Sequence, residues 1–186
     1  MDGVEGTGRR GFLRLAVGAG VTAGLAAAAM PAEAARRLLR PRALALHNLH
    51  TGESVNTAYW AEGRYLPDAM RHINWVLRDF RTDEVHQIDP RLLDLLVQLR
   101  GRLDGRAPIQ VISGYRSAQT NAMLARQTDG VAQNSLHMQG KAIDIRVPGH
   151  RLKHVRAAAM SLRGGGVGYY PQSDFIHLDT GPIRHW

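Results

Sequence analysis

The sequence contains no cysteine among its 186 residues. This absence excludes disulfide bonds, thiolate metal sites, a cysteine nucleophile and a lipidated N-terminal cysteine. Any metal site in this chain must therefore be built from histidine and carboxylate side chains. The sequence also lacks internal repeats, and its length is sufficient for one domain with a substantial core.

The sequence also lacks a long apolar run of the kind that spans a bilayer. Its most apolar stretch, Leu15–Met30, is short and rich in glycine and alanine. A basic segment, TGRRGFLR at 7–14, precedes it, and the small residues Ala32 and Ala34 follow, an order typical of a cleaved export signal. The arginine pair resembles a twin-arginine signal, with a general secretory signal as the alternative. We predict an export signal at 1–34, a linker at 35–43 and one domain at 44–186, with no stable membrane span after cleavage.

Acidic residues are few relative to basic ones, 16 against 24, which gives a formal net charge of +8. Removal of 1–34 takes away three arginines and three acids, so the remaining chain keeps that charge. A basic exported protein is attracted to anionic polymers. The basic residues are scattered and nucleic acid is a poor partner outside the cytoplasm, so we expect no nucleic-acid partner. A cell-wall polymer with free carboxylates fits better.

The hydrophobic pattern predicts a mixture of helices and strands. Apolar residues at helical spacing, with proline at the first turn, indicate helices that begin near Pro67 and Pro90, the second capped by Asp89 and closed by Gly105. Short apolar or alternating segments between turn residues indicate strands. The predicted helices are 66–80, 89–105, 118–127 and 152–162, and the predicted strands are 43–50, 51–60, 109–113, 141–147, 167–170 and 175–179. Because the strands do not alternate regularly with helices, we predict an α+β fold with a small antiparallel sheet and flanking helices.

Two of the predicted strands each carry polar groups that coordinate metals. In FIHLD (175–179), His177 faces away from the neighbouring aliphatic residues, and in KAIDIRV (141–147), Asp144 does the same. If the strands are neighbours, both side chains project from one face, and His137 can fold over the same point from the preceding loop. Two imidazoles and a carboxylate with an open fourth position form the arrangement of a catalytic zinc site. Manganese or iron also suits such ligands.

The motifs around these residues resemble those of the M15 zinc peptidases, the D-alanyl-D-alanine peptidase and hedgehog-like group. SLHMQGKAIDI (135–145) is similar to the Ser-x-His-x-x-Gly-x-Ala-x-Asp motif of that group, and GVGYYPQSDFIHLDTG (166–181) to its second signature. ISGYRS (112–117) resembles a Ser-Gly-x-Arg-Ser segment in which the arginine contacts substrate. The branch most similar to this chain is the murein endopeptidase K type, and the resemblance extends over about Leu44 to Trp186.

This resemblance implies roles for individual residues. His137, Asp144 and His177 would bind one zinc ion, and Arg116 would bind a substrate carboxylate or polarise the scissile carbonyl, to both of which a guanidinium is suited. Asp174, three residues before His177, would be the general base, with a turn-shaping role as the alternative. Asp179 is the rival candidate and would suit a carboxylate that orients an imidazole.

Residues after Arg116 are weaker candidates. Gln119 and Asn121 are in reach of the same cleft, but we interpret them as the polar face of a helix.

The combined prediction is an exported, periplasmic zinc metallopeptidase. It would hydrolyse peptide bonds in peptidoglycan, with stem-peptide cross-links as the expected substrate and cell-wall remodelling as the setting. Two alternatives stay open at this point: a carboxypeptidase that trims D-alanine, and a zinc-containing module that binds peptidoglycan without turnover. The sequence does not fix the oligomeric state.

Overall fold

The computed structural model describes residues 40–127 and 132–186. The predicted export signal lies outside these residues, as does most of the predicted linker. Its last two residues, 42 and 43, form the beginning of the first strand. No helix within the described ranges has the length and apolar character needed to cross a membrane.

The described residues contain eight strands, four α-helices and one short 3-10 helix. The strands are β1 (Arg42–Asn48), β2 (Ser54–Ala61), β3 (Arg64–Tyr65), β4 (Ile109–Ser113), β5 (Ala142–Arg146), β6 (Gly166–Tyr170), β7 (Phe175–Asp179) and β8 (Arg184–His185). The helices are α1 (Pro67–Val76), α2 (Pro90–Arg102), α3 (Ala118–Gln127) and α4 (Leu152–Leu162), and the 3-10 turn is Leu136–Gln139. The predicted α+β class is confirmed.

All eight strands form a single sheet in the order β3-β2-β1-β4-β5-β7-β6-β8. The sheet is larger than the small antiparallel one that the sequence predicts, and it is mixed, because β1 pairs with β4 and β6 pairs with β8 in parallel. The two-residue strands β3 and β8 extend its edges and are too short to show a hydrophobic period. The parallel pair β1–β4 is possible because a long connection joins these strands, made of β2, β3, α1 and α2.

The helix boundaries follow local capping chemistry. Pro67 and Pro90 occupy the first turns of α1 and α2. Backbone N–H groups in a first turn have no acceptor within the helix, so a proline there, which lacks this N–H, costs no hydrogen bond. The Asp89 side chain accepts a hydrogen bond from the Arg91 amide and caps α2 as predicted. Helix α2 ends at Arg102, three residues before Gly105, so the prediction that Gly105 closes it was wrong.

One hydrophobic core lies between the helices and one face of the sheet. Helix α1 contacts β1 and β2, α2 contacts β1 and α4, and α4 contacts β6 and β7. The fully buried members include Leu46, Ile73, Leu92, Leu96, Leu99, Ile143, Ile145, Ile176 and Leu178. Because Ile143 and Ile145 point into this core, the intervening Asp144 points out of the opposite face. His177 does the same between Ile176 and Leu178.

Candidate metal centre

The centre is assembled on the pairing of β5 with β7. These strands are antiparallel neighbours, and Asp144 lies directly opposite His177 in their register. The third residue, His137, lies in the 3-10 turn that leads into β5. The structure therefore brings together the three side chains that the sequence proposes as metal ligands, and all three are buried.

The turn that carries His137 is held in place by its own caps. Ser135 caps its beginning by accepting a hydrogen bond from the His137 amide. Gly140 ends it with a φ of 64°, and a Cβ at this position would lie 2.3 Å from the Gln87 carbonyl oxygen. Both the positive φ and the close approach require glycine. The conformation of SLHMQGKA thus fixes where His137 points.

The ligating atoms converge at hydrogen-bond distances. His137 Nε2 is 3.2 Å from His177 Nδ1 and 3.4 Å from Asp144 Oδ2, and His177 Nδ1 is 2.9 Å from Asp144 Oδ1. Three ligands of a tetrahedral ion with bonds of about 2.0 Å are separated by roughly 3.3 Å. The spacing of the three groups therefore suits one zinc-sized ion.

The far nitrogen of each imidazole is held by an acceptor. His137 Nδ1 donates to the Gly114 carbonyl over 2.7 Å. His177 Nε2 donates to Asp179 Oδ2 over 3.0 Å. These bonds leave His137 Nε2 and His177 Nδ1 deprotonated and directed at the common point when the rings are neutral, which is the arrangement that orients histidine ligands in metal proteins.

Both carboxylate oxygens of Asp179 accept hydrogen bonds, and the residue is fully buried. Its oxygens also accept from the Gly166 and Gly181 amides and from two nitrogens of Arg184. Burial alone would raise the pKa of Asp179, but the hydrogen bonds from His177 and Arg184 hold it well below its usual range. Asp179 is therefore an ionised group that orients His177.

The pKa values of Asp144 and His177 are also set by burial on one side and by neighbouring charges and hydrogen bonds on the other. Burial would raise the pKa of Asp144, but the neighbouring imidazoles lower it well below its ordinary value. Burial would lower the pKa of His177, whereas its hydrogen bonds with Asp144 and Asp179 raise it to about 9. The two carboxylates beside His177 thus favour positive charge at this point, which is the charge that a metal ion carries.

Arg116 lies beside the centre, on the loop after β4. Its Nη2 is 3.7 Å from Asp144 Oδ2, its Nη1 donates to Asn121 Oδ1 over 3.3 Å, and its amide donates to the His137 carbonyl. Its Nε is buried with no partner within the described residues. Burial lowers the pKa of Arg116, and the Asp144 carboxylate opposes that change. Asn121 is buried and contacts Arg116, so interpreting it as no more than the polar face of a helix was wrong.

Asp174 lies in the turn between β6 and β7, three residues before His177, with a φ of 52°. Its carboxylate is 3.2 Å from Arg146 Nε, and its side chain is 68% exposed. Within the described residues it has no hydrogen bond to His137, Asp144 or His177. Gln119 lies elsewhere, in a cavity on the exposed side of α3.

An aromatic group that sequence reasoning did not assign to the site borders His177. The Trp186 ring lies 5.4 Å from the His177 ring, and its Nε1 donates to the Tyr170 hydroxyl over 2.9 Å. Tyr170 stacks on Phe175. Gly168 lies opposite His177 on β6, and a Cβ there would approach the Trp186 ring to 2.8 Å. The glycine thus leaves the space that the indole occupies.

Comparison with known proteins gives consistent matches. The model of one protein family, described as peptidoglycan L,D-endopeptidase MepK, matches residues 36–186. Proteins of that name from Escherichia coli strain K12 and Shigella flexneri are each 46% identical over 172 residues, which are 92% of this chain and 94% of the relative. A Haemophilus influenzae protein named probable peptidoglycan L,D-endopeptidase MepK is 47% identical over 148 residues, 79% of this chain and 80% of the relative. No solved structure gives a significant match.

Proposed function

Because the chain belongs to the peptidase family described as peptidoglycan L,D-endopeptidase MepK, we propose that it is an exported, zinc-dependent endopeptidase that hydrolyses cross-links between peptidoglycan stem peptides. The observation that carries the zinc dependence is the convergence of His137 Nε2, His177 Nδ1 and the Asp144 carboxylate, with both far imidazole nitrogens held by acceptors. A zinc ion in this set supplies Lewis-acid polarisation of the scissile carbonyl and activation of a water molecule.

Arg116 is positioned to act on the substrate. Its guanidinium is anchored at Nη1 by Asn121 and lies against Asp144, which fixes its direction before substrate arrives. A donor fixed in advance stabilises negative charge that develops on a carbonyl oxygen without a cost of reorganisation. A guanidinium held in this way can donate to a carboxylate or carbonyl of the peptide.

Asp174 is the proposed proton carrier. Asp144 is committed to the metal set, and every oxygen of Asp179 is occupied by His177, Arg184 or backbone amides. Asp174 is exposed and lies on the turn that leads directly into His177. Its role is to accept a proton from water and deliver it to the leaving amine.

The site of action follows from the substrate and the charge. Peptidoglycan lies outside the cytoplasmic membrane, and the predicted twin-arginine signal at 1–34 would deliver the protein to the periplasm. The net charge of +8 attracts it to a polymer that carries free carboxylates. The term L,D in the relatives' name describes a bond between the carbonyl of an L-centre and the amine of a D-centre, and we propose this bond as the one cleaved.

The test is digestion of cross-linked muropeptides by the purified protein, followed by chromatography and mass spectrometry. With zinc present, we expect L,D-cross-linked dimers to become monomers, no cleavage after chelation, and recovery on addition of zinc. Asp174→Asn should retain zinc and lose turnover by about 100-fold or more. Persistence of all dimer types with zinc bound would contradict the endopeptidase proposal, and release of free D-alanine alone would assign a carboxypeptidase.

A further inference from the structure

A cavity with polar and basic lining residues lies beside α3, the helix that begins two residues after Arg116. It has a volume of about 460 Å³ and lies between the segment after α1 and the exposed side of α3. We call it the arginine cavity. The lining residues that matter here are Arg81, Thr82, Gln119, Thr120, Arg126 and Gln127.

The charged side chains that line the arginine cavity, Arg81 and Arg126, are both basic. Within residues 40–127 and 132–186, no acidic side chain lines it and neither arginine forms an ion pair. Two guanidiniums and two glutamine amides around one cavity present many hydrogen-bond donors, and this is a lining that suits an anion.

Arg81 is partly fixed without losing its donors. Its guanidinium lies over the Phe80 ring, 4.2 Å from the ring centre. Stacking of this kind contacts the face of the guanidinium and leaves its edge, which carries the N–H groups, available to a carboxylate. Asp79, two residues earlier, fixes the backbone, since its carboxylate accepts from the Arg81 amide over 3.0 Å.

The arginine cavity is tied to the loop that carries Arg116. Asp79 also accepts from the Ser117 amide over 2.9 Å, and the Thr120 amide donates to the Ser117 hydroxyl over 3.1 Å. These bonds, together with the one from the Arg81 amide to Asp79, hold the Arg116 loop against the segment that carries Arg81, so a peptide bound at Arg116 can extend toward Arg81.

We propose that the arginine cavity is a substrate subsite that binds a free carboxylate of the cross-linked peptide, separate from the group that Arg116 contacts. This inference rests on the proposed function for the identity of the ligand, because peptidoglycan stem peptides carry several free carboxylates. Arg81 and Arg126 supply the charge, and the cavity selects substrates by their carboxylates at a distance from the scissile bond. Binding energy used there lowers KM and does not enter the chemical step.

The experiment compares the double variant R81Q/R126Q with wild type on one cross-linked muropeptide, as the free acid and with its carboxylates amidated. With the free acid, we expect KM to rise by about tenfold and kcat to stay within about twofold, as suits the loss of two charge-assisted contacts. With the amidated substrate, the two proteins should have equal KM. The matched control is R71Q/R102Q, which removes the same charge from exposed positions on α1 and α2.

Two results would overturn the subsite. An equal rise in KM for the control pair would show a general effect of charge, and an equal rise with the amidated substrate would show that carboxylates are not recognised. Calorimetric binding of an uncleaved free-acid stem peptide separates this inference from the proposed function. If wild type binds that peptide and R81Q/R126Q does not, the subsite stands even where no cleavage occurs. If wild type cleaves cross-links and R81Q/R126Q binds and cleaves like the control pair, only the subsite fails.

Discussion

Replacement of Asp179 by asparagine tests how the centre is held together. The change preserves size, and the amide oxygen can still accept from the Gly166 and Gly181 amides, which contact Oδ1. The new NH2 group takes the place of Oδ2 and faces two donors, His177 Nε2 at 3.0 Å and Arg184 Nη2 at 2.7 Å. The variant therefore removes one negative charge and places an N–H donor opposite two other donors. The backbone turn at Gly166 and Gly181 stays intact.

The consequence for metal binding follows from the tautomer of His177. With an NH2 group opposite, Nε2 is best satisfied as an acceptor, which places the ring proton on Nδ1, the atom directed at Asp144 and His137. A protonated Nδ1 cannot bind a metal ion. Loss of a carboxylate behind a ligating histidine typically weakens metal affinity by about 10–100-fold, or about 1.4–2.7 kcal/mol. The unpaired donors in a fully buried position add a loss of about 1–3 kcal/mol in unfolding free energy.

Zinc affinity measured by competition with a chromophoric chelator, together with thermal unfolding of the metal-free protein, separates these two effects. Asp68→Asn is the matched control, because in the described part of the chain this exposed carboxylate pairs only with Arg71 on the surface of α1. The control should leave both quantities unchanged. A zinc affinity for Asp179→Asn within about threefold of wild type, in a folded protein, would refute the role assigned to Asp179.

Three further changes test other parts of the structure. Arg116→Lys should lower kcat/KM by about 100-fold with zinc content unchanged, because an ammonium cannot reproduce the fixed guanidinium; equal rates in steady-state kinetics would contradict this. Gly168→Ala should lower the unfolding free energy by about 1–3 kcal/mol in chemical denaturation and move the Trp186 ring, because the new Cβ would lie 2.8 Å from that ring. A Trp fluorescence spectrum and a stability like those of wild type would show instead that the ring can shift freely. Asp79→Asn should destabilise the protein at neutral pH. Burial raises the pKa of Asp79, but hydrogen bonds from Thr120 and Ser117 outweigh burial and lower this pKa below its unfolded value of about 3.9. The difference in unfolding free energy between wild type and variant is therefore complete above that pH and diminishes as pH falls through the folded pKa. A difference in unfolding free energy that grows toward acid pH would show that Asp79 is not stabilised as an anion.

The sequence predicted the features that depend on short-range pattern. Alternation in FIHLD and KAIDIRV placed His177 and Asp144 on one face, and the register of β5 and β7 sets them opposite one another. The helix that begins at Pro90 was predicted from its cap for the same reason, because capping involves neighbours in the chain. The α+β class followed from the uneven order of strands and helices.

Features that depend on contacts between distant segments were not predictable in this way. The partner of His137 is a backbone carbonyl at Gly114, and a carbonyl carries no signature in the sequence. Arg184 and Trp186 reach the centre through a two-residue strand that has no hydrophobic period. Asn121 appeared to be a polar helix residue because its burial arises from the loop that folds over it.

The parallel pairing of β1 with β4 has a consequence for how the protein folds. This pairing closes a long loop that contains α1 and α2, and closure of such a loop is slow and entropically costly. The strands that hold the metal set, β5 and β7, pair across about half that separation, and β7 pairs with β6 through a short turn. The C-terminal half can therefore form its sheet early, with docking of the β1–β2 hairpin as a later step. Mutations in that hairpin should accordingly change the folding rate and global stability while the intrinsic affinity of the folded protein for its ion stays the same.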